Sequence, residues 1–576
     1  MRTMEPTAHV RVRVTGARAA SAPTTWGHRA IWLWHGVADE TEEAHFNNGE
    51  WFRIPVGATV DSVVGAVQSA LHGHDALRTT FHHEEGAWRQ VVEGAGEVTL
   101  EVYEVGEPCD DAVARLVAGR LTGQPWPVRQ WPLRVAVVVC GGVPAYLVVA
   151  TNRLAIDGKS VAAVAESIVT ASVTHTSVAP APWQPVDEAL FEQSAEGQAA
   201  NERALRHWRE VLSTAPPSMF DLPMHEPDAL RFHLLKMDSP ALAAAVRMVS
   251  RRWRMSHSVL VLAAASIVLA RYAGHDSAVM QMMSGNRLDR LRRALVGTLT
   301  AEGVYYLDVG SGAPFSELAR EAFRASGRAH RFAFCDPHAV AALRAELEWQ
   351  RGAHIDLGAV YNAPQQTRSQ DVPDGGDLSE SDLTDLTEST VVKDDGAWPR
   401  SPAQLDLRLY LRTGHRHDIP LTLLSDTKYV PVEAMREFLV GIERVMVAAA
   451  CGTEDVDQLA EVSGVTPAPR GPAWIRRDDA WVDLTASRRL WQHVAGTDAA
   501  ALVAGSSAGD NRLVGYLAAP GRPDFHQLHR VCVKALNERS DVRTPDLYRW
   551  VAKTPVEPTD PVAWREAQVL AEHDGR

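Results

Sequence analysis

The polar residues with the clearest chemical potential in a structured context are Asn152, Arg153 and Asp157, followed by Gly158 and Ser160. Asn152 can donate and accept hydrogen bonds, and Asp157 offers a carboxylate that can balance a cation. Arg153 is the constraint. Its guanidinium stays protonated and has no acceptor lone pair, so position 153 cannot serve as a general base. It can stabilise an oxyanion or pair with a carboxylate. The plain alternative is a structural arginine that fills a space and performs no chemistry. Gly158 reads as a turn glycine that permits a tight exit from the loop. Ser160 stands at a helix start, where capping is the default role.

These residues need a strand before them and a helix after them. The apolar run Tyr146 to Ala150 reads as a buried strand, Thr151 to Gly158 as a polar loop, and the Ala/Val-rich stretch opened by Ser160 as a helix. Leu133 to Cys140 and Ala145 to Ala150 form a hairpin across Gly141-Gly142, and Val10 to Val14 alternates like a strand. Val60 to Gly73 has helical periodicity. Further helices are expected at Ala199 to Leu212, Ser256 to Tyr272 and Val432 to Ala450, and strands at Ala278 to Met283, Gly303 to Val309 and Leu405 to Leu411. Two proline-rich stretches, Ser177 to Pro185 and Val465 to Pro472, read as linkers. They divide the chain into units at 10–185, 186–455 and 473–576. The last is a small α+β unit with helices near Ala486 to Val494 and His526 to Leu536 and a strand near Leu513 to Ala518. The acidic stretch Asp371 to Asp395 is poor in aromatic residues and reads as a mobile, solvated surface loop.

Bulk properties narrow the function classes. At 576 residues the chain exceeds one hydrophobic core, and 45% hydrophobic with 23% charged residues is ordinary for a soluble globular protein. A net charge of −14 argues against nucleic acid as a partner. No apolar run reaches membrane-spanning length, and Met1 to Arg18 lacks the apolar core of a secretory signal. The 5 cysteines are widely spaced and odd in number, which points to a reducing, cytoplasmic setting without disulfides or structural zinc. His72, His74, His82 and His83 lack a third ligand and read as solvated histidines; no metal or bound cofactor is expected. Ala504-Gly505-Ser506-Ser507 lacks the flanks of a phosphopantetheine attachment site, and no phosphate-binding glycine loop stands between a strand and a helix.

Several blocks, in order along the chain, resemble the condensation domains of nonribosomal peptide synthetases. Thr25-Trp26-Gly27-His28-Arg29-Ala30-Ile31-Trp32-Leu33 is similar to the family's N-terminal helix signature, and His74-Asp75-Ala76-Leu77-Arg78-Thr79-Thr80-Phe81 to a helix end leading into a strand. Asn152-Arg153-Leu154-Ala155-Ile156-Asp157-Gly158 resembles the His-His-x-x-x-Asp-Gly signature with both histidines replaced. Val259 to Gly274, Ser284-Gly285-Asn286-Arg287 with Val296-Gly297, and Val360-Tyr361-Asn362 are similar to later blocks. The last segment resembles the small C-terminal subdomain of an adenylation domain, carried by Leu513 to Ala518, Pro545 to Tyr548 and Pro555 to Trp564. Where that subdomain has its Gly-Lys pair, this chain has Asp560 and Pro561, and the ATP-binding portion is missing.

The resemblance implies an α/β fold of two chloramphenicol-acetyltransferase-like lobes, each an α+β sandwich, arranged in a V around a tunnel, plus a vestigial adenylation-type subdomain. It implies a free-standing protein of nonribosomal peptide biosynthesis, acting on acyl or peptidyl thioesters carried on the phosphopantetheine arms of partner carrier proteins. In the family the second histidine lies beside the attacking amine, and Arg153 occupies its place. Asp157 is implied to be structural, with Arg287 as the arginine it ties to. Amide formation would then proceed by positioning, without a side-chain base. Two other outcomes stay open. One branch of the family carries arginine at this position and is a non-catalytic recruitment platform, although Gly158 departs from that branch's acidic residue. A coenzyme-A-dependent acyltransferase is more remote, since those enzymes also use the missing histidine. The cyclising branch's Asp-x-x-x-x-Asp-x-x-Ser is met by Asp157 and Ser160 but not by Asn152.

Overall fold

The computed structural model describes residues 4–35, 47–106, 109–310, 312–363, 378–401, 409–413, 419–477, 480–505, 512–536 and 539–574. The first lobe is built on a five-stranded sheet ordered Ala8–Val14, Gly96–Val105, Leu133–Cys140, Val143–Asn152, Asn47–Arg53. Val143–Asn152 has paired neighbours on both sides and is buried along almost its whole length. That explains why it reads as a continuous apolar run and not as an alternating one. Its hairpin partner is joined through Gly141 (φ 57°) and Gly142 (φ 80°), positive values that match the right-handed twist of the strands and that glycine adopts without strain. A three-stranded sheet, Ala20–Pro23, Ala87–Val92 and Thr79–Glu84, flanks it.

Helix Gly158–Thr174 buries Val161, Val164, Ala165 and Ile168, a helical spacing, in one core with Val67 and Leu71 of helix Val60–Gly73. The helix starts two residues earlier than Ser160. Asp157 is its cap, and Ser160 lies inside the first turn, donating its backbone N–H to Asp157 Oδ1 at 3.0 Å. The capping role expected of Ser160 therefore belongs to Asp157.

The second lobe carries a seven-stranded sheet ordered Ala301–Asp308, Ser277–Ser284, Ala359–Asn362, Leu409–Thr413, Leu421–Asp426, Phe232–Asp238, Val391–Trp398. Helix His257–Ala273 is buried on all sides at its centre, packed by helices Pro240–Trp253 and Val432–Ala450. No single helix among the described residues is long and apolar enough to cross a membrane.

Three expectations need correction. Within the acidic stretch, residues 371–377 lie outside the described residues, but the rest is ordered structure and not a loop. Helix Glu380–Thr387 is closed by reciprocal hydrogen bonds between Ser379 and Asp382 and anchored by the fully buried Leu383, and Val391–Trp398 adds an edge strand to the sheet. Of Leu405 to Leu411, residues 405–408 fall outside the described residues, and the strand seen is Leu409–Thr413. His74 also departs from its reading as a solvated side chain: it is 6% exposed, and burial pushes its pKa down to about 4.

The remaining unit pairs Trp474–Arg477 with Ala480–Asp483 and adds a four-stranded sheet, Ala500–Ala504, Leu513–Ala518, Leu547–Val551, Val569–Asp574, packed by helices Leu484–Ala495 and Phe525–Ala535. It is fastened to the second lobe. His529 Nε2 meets the Trp349 carbonyl at 3.0 Å, Thr544 N–H donates to Gly352 O at 3.0 Å, and Trp481 Nε1 donates to Gly274 O at 2.9 Å. Ser506 and Ser507 lie outside the described residues.

Candidate functional site

The site begins where the buried strand Val143–Asn152 runs out of partners. Asn152 is still in register with Asn47, but its side chain turns the chain: Oδ1 accepts the Leu154 N–H at 2.8 Å, and its carbonyl accepts from Ala155 and Ile156. That Asx turn occupies the side-chain oxygen with backbone work. Asn48 Nδ2 donates to the Ile156 carbonyl at 3.1 Å from the edge strand, and Thr298 Oγ1 donates to the Arg153 carbonyl at 2.7 Å. The backbone on both sides of Arg153 is thus fixed. Its half-buried guanidinium makes no side-chain hydrogen bond or ion pair among the described residues.

Asp157 ends the loop, 2% exposed, and is tied across the two lobes. Arg287 Nη1 and Nη2 donate to Asp157 Oδ2 and Oδ1 at 2.9 and 3.0 Å, a bidentate pair. Leu299 N–H (3.1 Å) and Thr300 Oγ1 (3.2 Å) donate to Oδ2 as well. Burial alone would raise this carboxyl, but the Arg287 charge, its hydrogen bonds and the backbone N–H groups of Leu299 and Ser160 outweigh that and hold it below its usual value. Arg287 Nη2 also donates to Ser160 Oγ at 2.8 Å, and Ser160 Oγ exchanges hydrogen bonds with Gly297, donating to its carbonyl at 2.9 Å and accepting its N–H at 3.0 Å. The Arg287 side chain is 7% exposed and sits where Asn286 takes a left-handed turn (φ 48°) stabilised by its Nδ2 donating to Leu299 O at 2.8 Å. The segment from Ser284 to Thr300 is therefore a strap of the second lobe clamped onto the loop of the first.

Helix Trp26–His35 closes the same corner. A Cβ on Gly27 would fall 2.1 Å from the Thr298 carbonyl oxygen, so only glycine lets the helix lie against the strap. Gly158 is not held by any such demand. Its φ is not positive, and a Cβ there would meet nothing within 4 Å, which leaves open space at this end of the loop and corrects its reading as a turn glycine.

Chemically, the arrangement presents a cation from a rigid loop, with its neighbouring carboxylate already consumed by Arg287. It can bind or polarise an anionic or carbonyl oxygen, and position 153 cannot accept a proton. Asn152, Arg153, Asp157, Gly158 and Arg287 are brought together, though Asn152 and Asp157 serve the backbone. Leu299, Thr300 and the Ser160 hydroxyl were not anticipated as partners. They carry no local sequence signal, because their role depends on a contact across more than a hundred residues of chain.

The model of the family described as condensation domain matches residues 29–367. The chain belongs to the condensation domain family. Among curated proteins, it is 24% identical over 322 residues to the probable non-canonical nonribosomal peptide synthetase CymA of Salinispora arenicola and 24% identical over 253 residues to the cyclosporin synthetase of Tolypocladium inflatum. Those matches cover 52% and 41% of this chain but only 4% and 2% of the synthetases, so the chain spans a small part of the relatives it matches. Among solved structures, the first condensation domain of the calcium-dependent antibiotic synthetase superposes with a TM-score of 0.54 at 16% identity, covering 76% of this chain and 98% of that one. The condensation domain of the monacolin K polyketide synthase MokA gives 0.57 at 19% identity over 75% and 98%. The X-domain bound to OxyB from teicoplanin biosynthesis gives 0.53 at 17% identity over 77% and 97%. At these identities the likeness establishes the fold alone, a mixed α/β architecture of the chloramphenicol-acetyltransferase type.

Proposed function

We propose that this condensation-family protein engages acyl or peptidyl thioesters on the phosphopantetheine arms of carrier proteins and transfers the acyl group to an amine. Arg153 stands at the place of the family's catalytic histidine. The observation that carries the reading is the intact strap: Asp157, Arg287, Ser160, Leu299 and Thr300 hold the loop and present an Arg153 guanidinium unpaired among the described residues, on a loop that ends in open space at Gly158. Acyl transfer without a base at 153 relies on positioning, which supplies effective molarities of about 10⁵ M or more, and on a donor for the tetrahedral oxyanion. The neutral amine attacks the carbonyl carbon, the carbon–sulfur bond breaks as the tetrahedral intermediate collapses, and the leaving thiolate takes up the proton that the newly bonded nitrogen gives up. The C-terminal unit belongs to this reading as a remnant of an adenylation subdomain. Its Asp560 caps the short helix Pro561–Arg565 through Val562 N–H at 2.9 Å, and neither Asp560 nor Pro561 can replace a lysine at an acyl-adenylate.

A second reading, a recruitment platform without chemistry, is favoured by the lack of any proton acceptor at position 153. One assay separates the two: amide formation from acyl-loaded carrier protein and amine, with wild type against Arg153→Ala. On the acyl-transfer reading the rate falls about 10²-fold, the scale of losing one oxyanion donor. Equal background rates in both proteins would overturn it in favour of the platform.

A further inference from the structure

Immediately beyond Thr300, the strap becomes strand Ala301–Asp308, the outer strand of the second-lobe sheet. Its second residue, Glu302, is the strand's one carboxylate besides the terminal Asp308. In register with Met283 and beside Gln281, it opens into a cavity of about 350 Å³. The cavity is walled by Ala30, Leu33 and Trp34 of helix Trp26–His35 and, from the second lobe, by Trp208, Val340 and Leu357 among others. It thus lies between the two lobes, on the same helix that Gly27 seats against the strap.

We propose that this cavity is a binding site for a compact primary amine with an apolar body, held as its ammonium against the Glu302 carboxylate. The other charged or titratable groups of the wall have partners elsewhere. His354 Nδ1 lies 2.9 Å and Arg344 Nε 3.8 Å from Glu348 Oε1, Asp356 accepts from Gly358 N–H at 2.7 Å and Ser540 Oγ at 3.2 Å, and the Cys335 thiol is pushed up to about 12, chiefly by burial. Glu302 has no cation opposite it among the described residues. Burial drives its pKa up to about 7, against the weaker help that the Trp34 indole and the Gln281 amide give the ionised form. A cation entering the cavity would supply that missing counter-charge and gain an aromatic wall from Trp34 and Trp208, while apolar walls of this volume suit an aryl or alkyl group of amino-acid size. As the seat of the acceptor, the site rests on the acyl-transfer reading; as an amine site it stands by itself.

The test uses the full chain and 2-phenylethylamine, with neutral 2-phenylethanol of matched shape, titrated by calorimetry. The amine is expected to bind saturably and the alcohol at least tenfold more weakly. Because the ammonium needs an ionised Glu302, affinity should rise about tenfold between pH 6 and pH 8, following ionisation of a group near 7. Glu302→Gln should abolish that rise and the preference for the amine. This variant should fold, because it removes a carboxylate whose ionisation costs the folded state stability as pH rises from about 4.5 through 7. Ala341→Trp, on an exposed position of the cavity wall, should block both ligands without touching Glu302. Equal binding of alcohol and amine, binding unchanged in Glu302→Gln, or no saturable amine binding in the wild type would each overturn the proposal. Amine binding without any amide product from loaded carrier protein would overturn the transfer reading alone.

Discussion

Breaking the Asp157–Arg287 pair from either side leaves one buried charge without its counter-ion, and the surviving partner still carries its desolvation cost. Arg287→Ala and Asp157→Asn are each expected to lower stability by about 3–5 kcal/mol, measured by urea unfolding at pH 7. The pH dependence has a definite sign. The Asp157 carboxyl is depressed in the folded state, so its contribution is complete above the unfolded value near 4 and is lost as pH falls through the lower folded value. Arg153→Ala should show none of this loss, because its guanidinium contacts none of these groups. The two positions are four residues apart in sequence, but the structural role belongs to Asp157, and on the acyl-transfer reading the chemical role belongs to Arg153.

At the scale of elements, the site depends on how helix Trp26–His35 and the strap share one corner. Glu192 fixes the start of that helix by accepting the Trp26 N–H at 3.0 and 2.9 Å, and Arg29 Nη1 reaches Asp336 Oδ2 at 2.8 Å on the second lobe. Gly27→Ala would force a methyl into the Thr298 carbonyl, which cannot give way without moving the strap. The expected outcome is a lower melting temperature together with loss of any Arg153-dependent activity, read by calorimetry and by the amide assay on the same preparation. Element positions were largely legible in sequence. Val60–Gly73 and Val432–Ala450 fall at their expected bounds, because a continuous apolar stripe of helical period fixes them locally. Helix Glu380–Thr387 escaped that reading because its anchor is a single buried leucine and its charge pattern mimics a solvated loop. Glu302 escaped for a related reason: a single carboxylate near the start of a mostly apolar strand gives no periodic signal, and its environment comes from helices distant in sequence.

At the scale of the whole molecule, the C-terminal unit is joined to the second lobe through a neutral histidine. His529 Nδ1 meets Tyr548 Oη at 2.9 Å, its other nitrogen meets the Trp349 carbonyl, and its ring packs edge-on to Trp349 with centroids 4.4 Å apart. Burial, foremost, lowers its pKa, and the same cause pushes His28 down to about 3. A histidine with a lowered folded pKa contributes fully above its unfolded value near 6.5, and that contribution is lost as pH falls below it. Limited proteolysis should therefore release the C-terminal unit faster at pH 5 than at pH 7.5. His529→Phe, which keeps the aromatic contact but cannot titrate, should narrow the difference.

The sequence by itself determined the family, the order of the elements and the inability of position 153, an arginine, to act as a base, because these depend on residue identity and local periodicity alone. It could name Asp157 and Arg287 as partners only through resemblance. What the tertiary structure decided is everything that rests on contacts between lobes: the bidentate pair, the Ser160–Gly297 exchange, the approach of Gly27 to Thr298 and the cavity at Glu302. Burial and the electrostatics that follow from it are properties of how distant segments pack, and no window of sequence contains them.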